Sequence, residues 1–490
     1  MTGADRSERI GLLLVGAFSA GDLASATSIA KSAGYVLQQL GGDAPASELR
    51  SVIDRLDVDL VCIVTGPATL RGDGLQKALG ALSSSDAAVG LFSDTGVPGA
   101  RGDDATMRRP VLSPERLRCQ YYLGPAVVYR RGHLLGSPLV EVRTVYGYLY
   151  DAALRAALGR LEVLRETLPL VDRRAKDDAL LGPDALDDAE RLLAEYLART
   201  GGGEVRAVRP DGVHDTRRSV VGEPLVSIVI PTRAVHIATP SGPRCFVVDA
   251  VRDIIERSTY SNVELVIVAD DVAEVEVIER MRELAGDRLK IVTWDRPFNF
   301  SDKVNLGVVH ATGEYVLILN DDVEVLTPGW IEALLALAQL PGAGMVGAML
   351  YYEDDTIQHA GHAYFDDEAS HIGLDRTRGD GGPLGGYRVE REVAGVTAAC
   401  AMMPRAVFYE AGGFTGLLPG NFNDVDLCMK VTYLGYEIYW TPHAELYHFE
   451  SKTRNPTVHA FEVAINWGRW GHRMHEPKYW PYPLDRVPLG

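Results

Sequence analysis

The stretch Glu314-Tyr-Val-Leu-Ile-Leu-Asn-Asp-Asp-Val-Glu-Val325 constrains the chain most. Its apolar run, Tyr315 to Leu319, has no polar break and leads directly into Asn320, Asp321 and Asp322. A short unbroken run of this kind predicts a core strand of an α/β sheet. Ligands of open α/β sheets bind at the carboxyl ends of such strands. Adjacent carboxylates held there repel each other unless a cation sits between them. A divalent metal with hard oxygen ligands is the simplest such cation, and phosphate is its usual second partner. An ordinary acidic turn accounts for the pair taken alone.

Two further strands have polar or acidic ends. Leu225-Val-Ser-Ile-Val-Ile-Pro-Thr-Arg233 ends in Pro231, Thr232 and Arg233, where a base or ribose can rest. Val263-Glu-Leu-Val-Ile-Val-Ala-Asp-Asp271 ends in Asp270 and Asp271. Phe298-Asn-Phe-Ser-Asp-Lys-Val-Asn-Leu-Gly307 opens a helix, with Ser301 as its expected N-cap. Chance acidic turns do not explain three such strand ends in one domain.

At 490 residues the chain is too long for one ordinary core. Strand and helix signals alternate over residues 1–172, giving a first α/β domain. Residues 173–223 read as a helical and linker segment, in which Asp184 to Arg199 has apolar residues at helical spacing. A second α/β domain spans 224–454, and an aromatic-rich tail covers 455–490, expected to pack back on the protein. The net charge of −18 argues against a general nucleic-acid binder. The five cysteines are widely spaced without a C-x-x-C pair and read as reduced thiols. Ile10 to Val15 is too short for a signal-peptide core. The run Ala333 to Leu350 is interrupted by Gln339 and Pro341 and does not read as a membrane span. A cytoplasmic protein is expected, and peripheral contact with the inner face of the plasma membrane is compatible with it.

The halves read as repeats. Asp59-Leu-Val-Cys-Ile-Val-Thr-Gly-Pro67 aligns without a gap on Glu314 to Asp322, and Tyr150-Asp-Ala-Ala-Leu-Arg-Ala156 aligns on Val425 to Val431. Gly66 and Pro67 then stand where the second copy has Asp321 and Asp322, and Leu149 stands for Asp424. A duplicated fold whose first copy lost its chemistry is the expectation. A generic α/β pattern shared by two unrelated domains is the alternative.

The second domain resembles the family-2 glycosyltransferases of the GT-A (nucleotide-diphosphosugar transferase-like) fold, most nearly the bacterial O-antigen and rhamnan branch. The resemblance is carried in order by Val226-Ser-Ile-Val-Ile-Pro-Thr232, Val266-Ile-Val-Ala-Asp-Asp271, Asn305-Leu-Gly307, Gly313 to Asp322, Gly412-Gly-Phe414, Asn423-Asp-Val-Asp-Leu-Cys428, Gly435-Tyr436 and Tyr447-His-Phe-Glu-Ser-Lys452. It implies tandem GT-A domains with mostly parallel sheets flanked by helices, the first copy degenerate. It implies a nucleotide-sugar site of Pro231, Thr232, Arg233, Asp270, Asn305, Asn320 and Asp321, and a Mg²⁺ or Mn²⁺ site of Asp322 and His448. Asp424 is the implied general base. Lys452, Arg454, Asn423 and Asp426 stand near the diphosphate or acceptor, with Asp426 also explicable as a helix-start acid. The sequence departs from the family at Asn320 and at Asn423, where acids are usual.

The implied reaction is an inverting transfer. A nucleotide-diphosphate sugar, UDP- or dTDP-linked, donates to a hydroxyl of a glycan, lipid-linked or small-molecule acceptor. One carboxylate serves as base, whereas hydrolases need a flanking pair. No nucleic-acid partner is expected, and a homo-oligomer is compatible. A non-catalytic carbohydrate-binding or scaffold protein is the rival reading. A nucleotidyltransferase would need a Gly-rich basic loop after the first strand, which Pro231-Thr-Arg-Ala234 does not supply. The segment Gln358-His-Ala-Gly-His362 carries histidines three apart with no further ligand in view; the resemblance implies that it is a loop lining the site, so metal binding is not expected there.

Overall fold

The computed structural model describes residues 8–173, 180–239, 242–365, 368–449, 458–474 and 478–482. It divides into two compact units, Met1–Arg217 and Arg218–Gly490. Each is a mixed α/β unit built on one main sheet.

In the first unit the main path of the sheet is formed by β1 (Ile10–Val15), β2 (Val36–Leu40), β3 (Leu60–Thr65), β4 (Thr69–Leu70), β5 (Ala88–Gly96), β6 (Ala126–Arg130) and β7 (Glu162–Asp172). Their order across the sheet is β2-β1-β3-β6-β5-β7-β4. Strands β2, β1, β3, β5 and β7 run one way, while β6 and β4 run the other.

The second unit repeats this plan. The main path of its sheet is formed by β8 (Val226–Thr232), β9 (Val263–Asp270), β10 (Leu289–Trp294), β11 (Tyr315–Leu319), β12 (Val323–Val325), β13 (Ala343–Tyr351), β14 (Cys400–Pro404) and β15 (Glu437–His448). Their order is β10-β9-β8-β11-β14-β13-β15-β12. Strands β10, β9, β8, β11, β13 and β15 share one direction, with β14 and β12 reversed. Apart from the extra edge strand β10, order and direction match the first unit strand for strand. A generic α/β pattern does not require the reversed strand to enter at the same place, nor the same short reversed strand at the far edge. The sheets therefore support duplication.

The core follows from the unbroken apolar runs. All of β8 and β11 is buried, as is β9 up to Asp270. Helix α1 (Phe300–His310) lies across β8 and β9. Gly307 makes this possible, because a Cβ there would lie 2.4 Å from Val229 and 2.9 Å from Val268. Its N-cap is Asn299, whose side chain accepts from the Asp302 N–H at 3.1 Å. Ser301 is not the cap; its hydroxyl donates to the Leu418 carbonyl at 2.6 Å.

The helix read from residues 184–199 forms as α2 (Pro183–Arg199), but it belongs to the first unit rather than to a linker. Its buried Asp188 accepts from the Thr144 N–H at 2.8 Å and the Thr144 hydroxyl at 2.7 Å, which fixes the start of a neighbouring helix, Val145–Leu158. Leu192, Leu193 and Tyr196 complete that core. Within the described tail, Trp470 and Trp480 pack on the second unit. Among the described residues no helix is long and apolar enough to cross a membrane.

Candidate active site

The carboxyl ends of β8 and β11, the end of β15 and the start of helix α3 (Asn423–Tyr433) converge on a cavity of about 390 Å³. That is the size of an ordinary small-molecule site. Pro231, Thr232, Arg233, Asn320, Asp321, Asp322, Asn423, Asp424 and His448 all line it. Parallel register between β8 and β11 brings the first two groups level, and β12 pairing with β15 sets Val323 opposite His448.

The acids are individually anchored. Thr232 Oγ1 donates to Asp321 Oδ2 at 2.6 Å and accepts from the Ala234 N–H at 2.9 Å. Lys303, wholly buried on α1, donates to Asp270 Oδ1 at 2.6 Å and to the Thr232 carbonyl at 2.7 Å. Burial, and then the charge of Asp322, push the Asp321 carboxyl up to about 7; Thr232 and Lys303 oppose the shift. Burial lowers the Lys303 ammonium while Asp270 acts against it. Lys303 is a site residue that sequence reading passed over, since it looks like one polar residue in a helix and acquires its role only by crossing to two strand ends.

The His448 imidazole is held in one orientation. Its Nδ1 donates to Gln358 Oε1 at 2.6 Å, and the Gln358 amide is itself set by donating to the His448 carbonyl at 3.4 Å. The Nε2 lone pair then faces Asp322 Oδ1 at 3.3 Å and accepts from Asn320 Nδ2 at 3.0 Å. A proton fixed on the far nitrogen by an oxygen acceptor is the usual arrangement around a metal-bound imidazole. Neighbouring ligands of an octahedral Mg²⁺ stand about 3 Å apart, close to the separation seen here. The donor set of one carboxylate and one imidazole, beside a second buried carboxylate, fits a divalent cation.

Asp424 opens α3. Its Oδ1 accepts from the Val425 N–H at 2.8 Å and its Oδ2 from the Ala398 N–H at 3.3 Å, so the carboxylate is aimed by backbone donors. The preceding helix-cap residue, Phe422, has φ +57°, a backbone conformation costly for a bulky side chain. It also lines the cavity.

Other residues expected at the site are placed elsewhere. Asn305 does not line the cavity: its Oδ1 accepts from the Phe414 N–H and its Nδ2 donates to the Phe414 carbonyl, each at 2.9 Å. That pair of hydrogen bonds clamps a loop, which accounts for the Asn in Asn305-Leu-Gly307. Asp426 is fully buried beneath the site, accepting from Thr415, Trp470 and Arg469 and pairing with Lys430 at 3.2 Å. Lys452 and Arg454 lie outside the described residues. Asp270 is one step removed from the cavity wall, reached through Lys303.

The histidine segment also differs from expectation. His359 and His362 gain a third partner, His371, whose strand (Glu368–His371) pairs with His362–Phe365 so that His362 and His371 face each other. The three imidazoles cluster, His362 lies within reach of the Asp424 charge, and His362 and His371 line the cavity. Sequence spacing hid this, because His371 is nine residues past His362 and is returned by a strand pair.

Residues 227–412 match the family model for Glycosyl transferase family 2, and the second unit is a domain of that family. The chain is 38% identical over 286 residues to the uncharacterized protein y4gI of Sinorhizobium fredii, covering 56% of this chain and 30% of that protein. It is 29% identical over 405 residues to the O-antigen biosynthesis protein RfbC of Myxococcus xanthus, covering 81% of this chain and 31% of that protein. The chain thus spans about a third of the length of these curated relatives. Among solved structures it aligns with a mannosyltransferase, PcManGT from Pyrobaculum calidifontis, in complex with GDP-Man and Mn²⁺ (TM-score 0.34, 16% identity, 47% of this chain, 58% of that one). It also aligns with GalNAc-T7 bound to UDP, GalNAc and Mn²⁺ (TM-score 0.40, 15% identity, 59% of this chain, 58% of that one). Alignments at these scores do not assign a donor or an acceptor to this chain.

Proposed function

We propose that the second unit is an inverting glycosyltransferase that moves a sugar from a nucleotide-diphosphate donor to a hydroxyl of a glycan or lipid-linked acceptor. The observation that carries this reading is one cavity holding two different devices: Asp322 paired with a proton-ordered His448, and Asp424 aimed by backbone N–H groups. Family membership of residues 227–412 supports the reaction class. The relative named for O-antigen biosynthesis supports a polysaccharide context.

In this reading Asp322 and His448 hold Mg²⁺ or Mn²⁺. Thr232 and Asp321, braced by Lys303 and Asp270, hold the base and ribose of a UDP- or dTDP-linked donor, with Pro231, Arg233 and Asn320 around them. The bound cation would neutralise charge that develops on the diphosphate leaving group. Asp424 takes the proton of the acceptor hydroxyl, which then attacks the anomeric carbon from the face opposite the leaving diphosphate. One base and one displacement invert the centre. A positioned base contributes about 10²–10⁴-fold. Asn423, buried beside Asp424, lines the cavity and adds no second charge. The first unit lacks these acids and serves in packing, assembly or acceptor binding.

The test is transfer or hydrolysis across a panel of UDP- and dTDP-sugars with Mn²⁺. Activity that disappears in both Asp322→Ala and Asp424→Asn supports the reading. Nucleotide binding without turnover in the wild-type chain moves the protein to the carbohydrate-binding reading.

A further inference from the structure

Helix α4 (Ala460–Trp470) follows β15 and lies beyond the residues that match the family model. A helix that only covered the unit would bury an apolar face. The buried positions of α4 are instead Glu462, Asn466 and Trp470, four residues apart on one face. Burying a carboxylate is costly unless hydrogen bonds replace its water. Four donors do so here. Glu462 Oε1 accepts from the Gly420 N–H at 3.1 Å and the Asn421 N–H at 2.8 Å, and Oε2 accepts from Asn421 Nδ2 at 2.9 Å and the His459 N–H at 3.1 Å. Burial alone would raise the Glu462 carboxyl; the Asn421, His459 and Gly420 donors outweigh it and hold it below its usual value.

Successive backbone N–H groups turned onto one oxygen form a cradle for an anion. This cradle belongs to the cavity wall, since Gly420 and Asn421 line it together with Phe422, Asn423 and Asp424. Phe422 turns the chain into α3 with φ +57°, a conformation that persists only where its surroundings impose it. Helix α4 supplies two holds on that turn. Glu462 fixes the peptide groups that precede Phe422. Trp467 meets the Phe422 ring edge to face, with centroids 5.1 Å apart and planes at 86°. Past Asp424, the same helix holds Asp426: Trp470 Nε1 donates to its Oδ1 at 2.8 Å, and Arg469 pairs with it at 2.8 Å. Asp424 thus sits between two points that α4 fixes.

We propose that α4 is part of the catalytic apparatus: Glu462 is a positioning residue that, with Trp467, locks the strained turn at 420–422 and so keeps Asp424 aimed at the acceptor hydroxyl. Neither Glu462 nor Trp467 lines the cavity, so each acts through the turn. The proposal rests on the glycosyltransferase reading for the role of Asp424. It also extends the catalytic domain past residue 454, because the helix that sets the base lies after it.

The experiment measures kcat and donor KM of the full chain with Mn²⁺ and a sugar donor that it turns over, nucleotide affinity by calorimetry, and backbone amide hydrogen exchange over residues 420–424. Glu462→Gln keeps the size of the side chain but presents an NH₂ group to donors that need an acceptor. It is expected to lower kcat about 10–100-fold with donor KM and nucleotide affinity within about 2-fold of wild type, since misplacing a reacting group costs rate rather than binding. Exchange at Gly420 and Asn421 should rise about 10-fold or more, while exchange in β8 and β11 keeps its wild-type rate. Trp467→Ala should lower kcat about 10-fold, and Trp467→Phe, which restores an aromatic edge, should stay within about 3-fold of wild type. Wild-type kcat in Glu462→Gln overturns the proposal. So does a fall in kcat matched by an equal loss of nucleotide affinity, which marks a role in the stability of the whole unit. If Glu462→Gln does not fold, the Trp467 pair decides, and equal kcat in wild type, Trp467→Ala and Trp467→Phe overturns the proposal. A wild-type chain that turns over no donor, yet whose exchange at Gly420 and Asn421 depends on Glu462, sinks the glycosyltransferase reading and leaves the clamp standing; exchange that Glu462→Gln leaves unchanged sinks the clamp.

Discussion

The ends of β3 and β11 occupy the same place in two copies of one sheet and do opposite things. Register makes the comparison residue by residue: Ile10 pairs with Leu60 in the first copy as Val226 pairs with Tyr315 in the second. Carried to the strand ends, Gly16 stands where Thr232 does, and Gly66 where Asp321 does. In the second copy those positions are a hydroxyl donating to a carboxylate at 2.6 Å, on the wall of a cavity. In the first copy the two glycine backbones close on each other: a Cβ at Gly16 would lie 3.3 Å from the Gly66 nitrogen, and one at Gly66 would lie 2.6 Å from the Ala17 carbonyl oxygen. The strand needs no acids to end. The acids of the second copy are thus left for the ligand role proposed above, and at the same place the first copy has backbone contact.

A second pair of equivalent residues separates structure from chemistry. Asp151 and Asp426 align, and both are buried and pair with a base one helical turn on, Arg155 at 2.7 Å and Lys430 at 3.2 Å. An acid kept in both copies, including the one without a site, serves the helix. Asp424 has Leu149 as its counterpart and is retained only where the cavity is.

These contrasts set four expectations, in decreasing size. Asp424→Asn should lower kcat by about 10²–10⁴-fold with the melting temperature little changed, measured by donor turnover and calorimetry. Retained activity would return Asp424 to the status of a helix-start acid. Asp426→Ala and Asp151→Ala should each lose about 3 kcal/mol in denaturant unfolding of their own unit, because each leaves a largely buried base without its carboxylate. If only Asp426→Ala removes activity while leaving stability intact, the structural assignment fails.

Gly66→Asp should destabilise the first unit by about 1–3 kcal/mol and create no metal site, since the new side chain meets backbone and the Phe18 ring. A stable variant binding an additional Mn²⁺ would show that the first cleft is open. The smallest effect is a pH dependence. The Asp321 carboxyl is raised from 3.8 to about 7 in the folded chain, so the native state binds this proton more tightly than the unfolded chain does. Its contribution to stability is therefore present below about pH 4 and is lost as pH rises toward 7. A divalent cation offsets the exposed repulsion with Asp322, so Mn²⁺ should raise the melting temperature more at pH 8 than at pH 5. Equal shifts at both values would remove Asp321 from the metal's surroundings.

The strands were legible because long apolar runs have few alternatives, and the repeat was legible because β3 and β11 align without a gap. The cavity's outer members, Thr232, Asp321, Asp322, Asp424 and His448, were legible because they sit at strand ends or helix starts, where chain direction alone delivers side chains to a site. Lys303, Gln358 and His371 were not. Each takes its role from a partner on another element: two strand ends for Lys303, the far nitrogen of His448 for Gln358, and a facing strand for His371. Asn305 erred the other way, because a polar residue in a family motif can hold a loop as well as a ligand. The helix at 183–199 likewise has the charge pattern of a connecting helix, and its buried Asp188, with Leu192, Leu193 and Tyr196, ties it to the first core.

The most direct test is the stoichiometry of nucleotide binding by the intact chain, titrated with Mn²⁺ and UDP or dTDP in a calorimeter. The expected result is one Mn²⁺-dependent site per chain, abolished by Asp322→Ala and unaffected by Gly66→Ala. Two sites per chain, or one site that survives Asp322→Ala, would contradict the division of labour between the two copies.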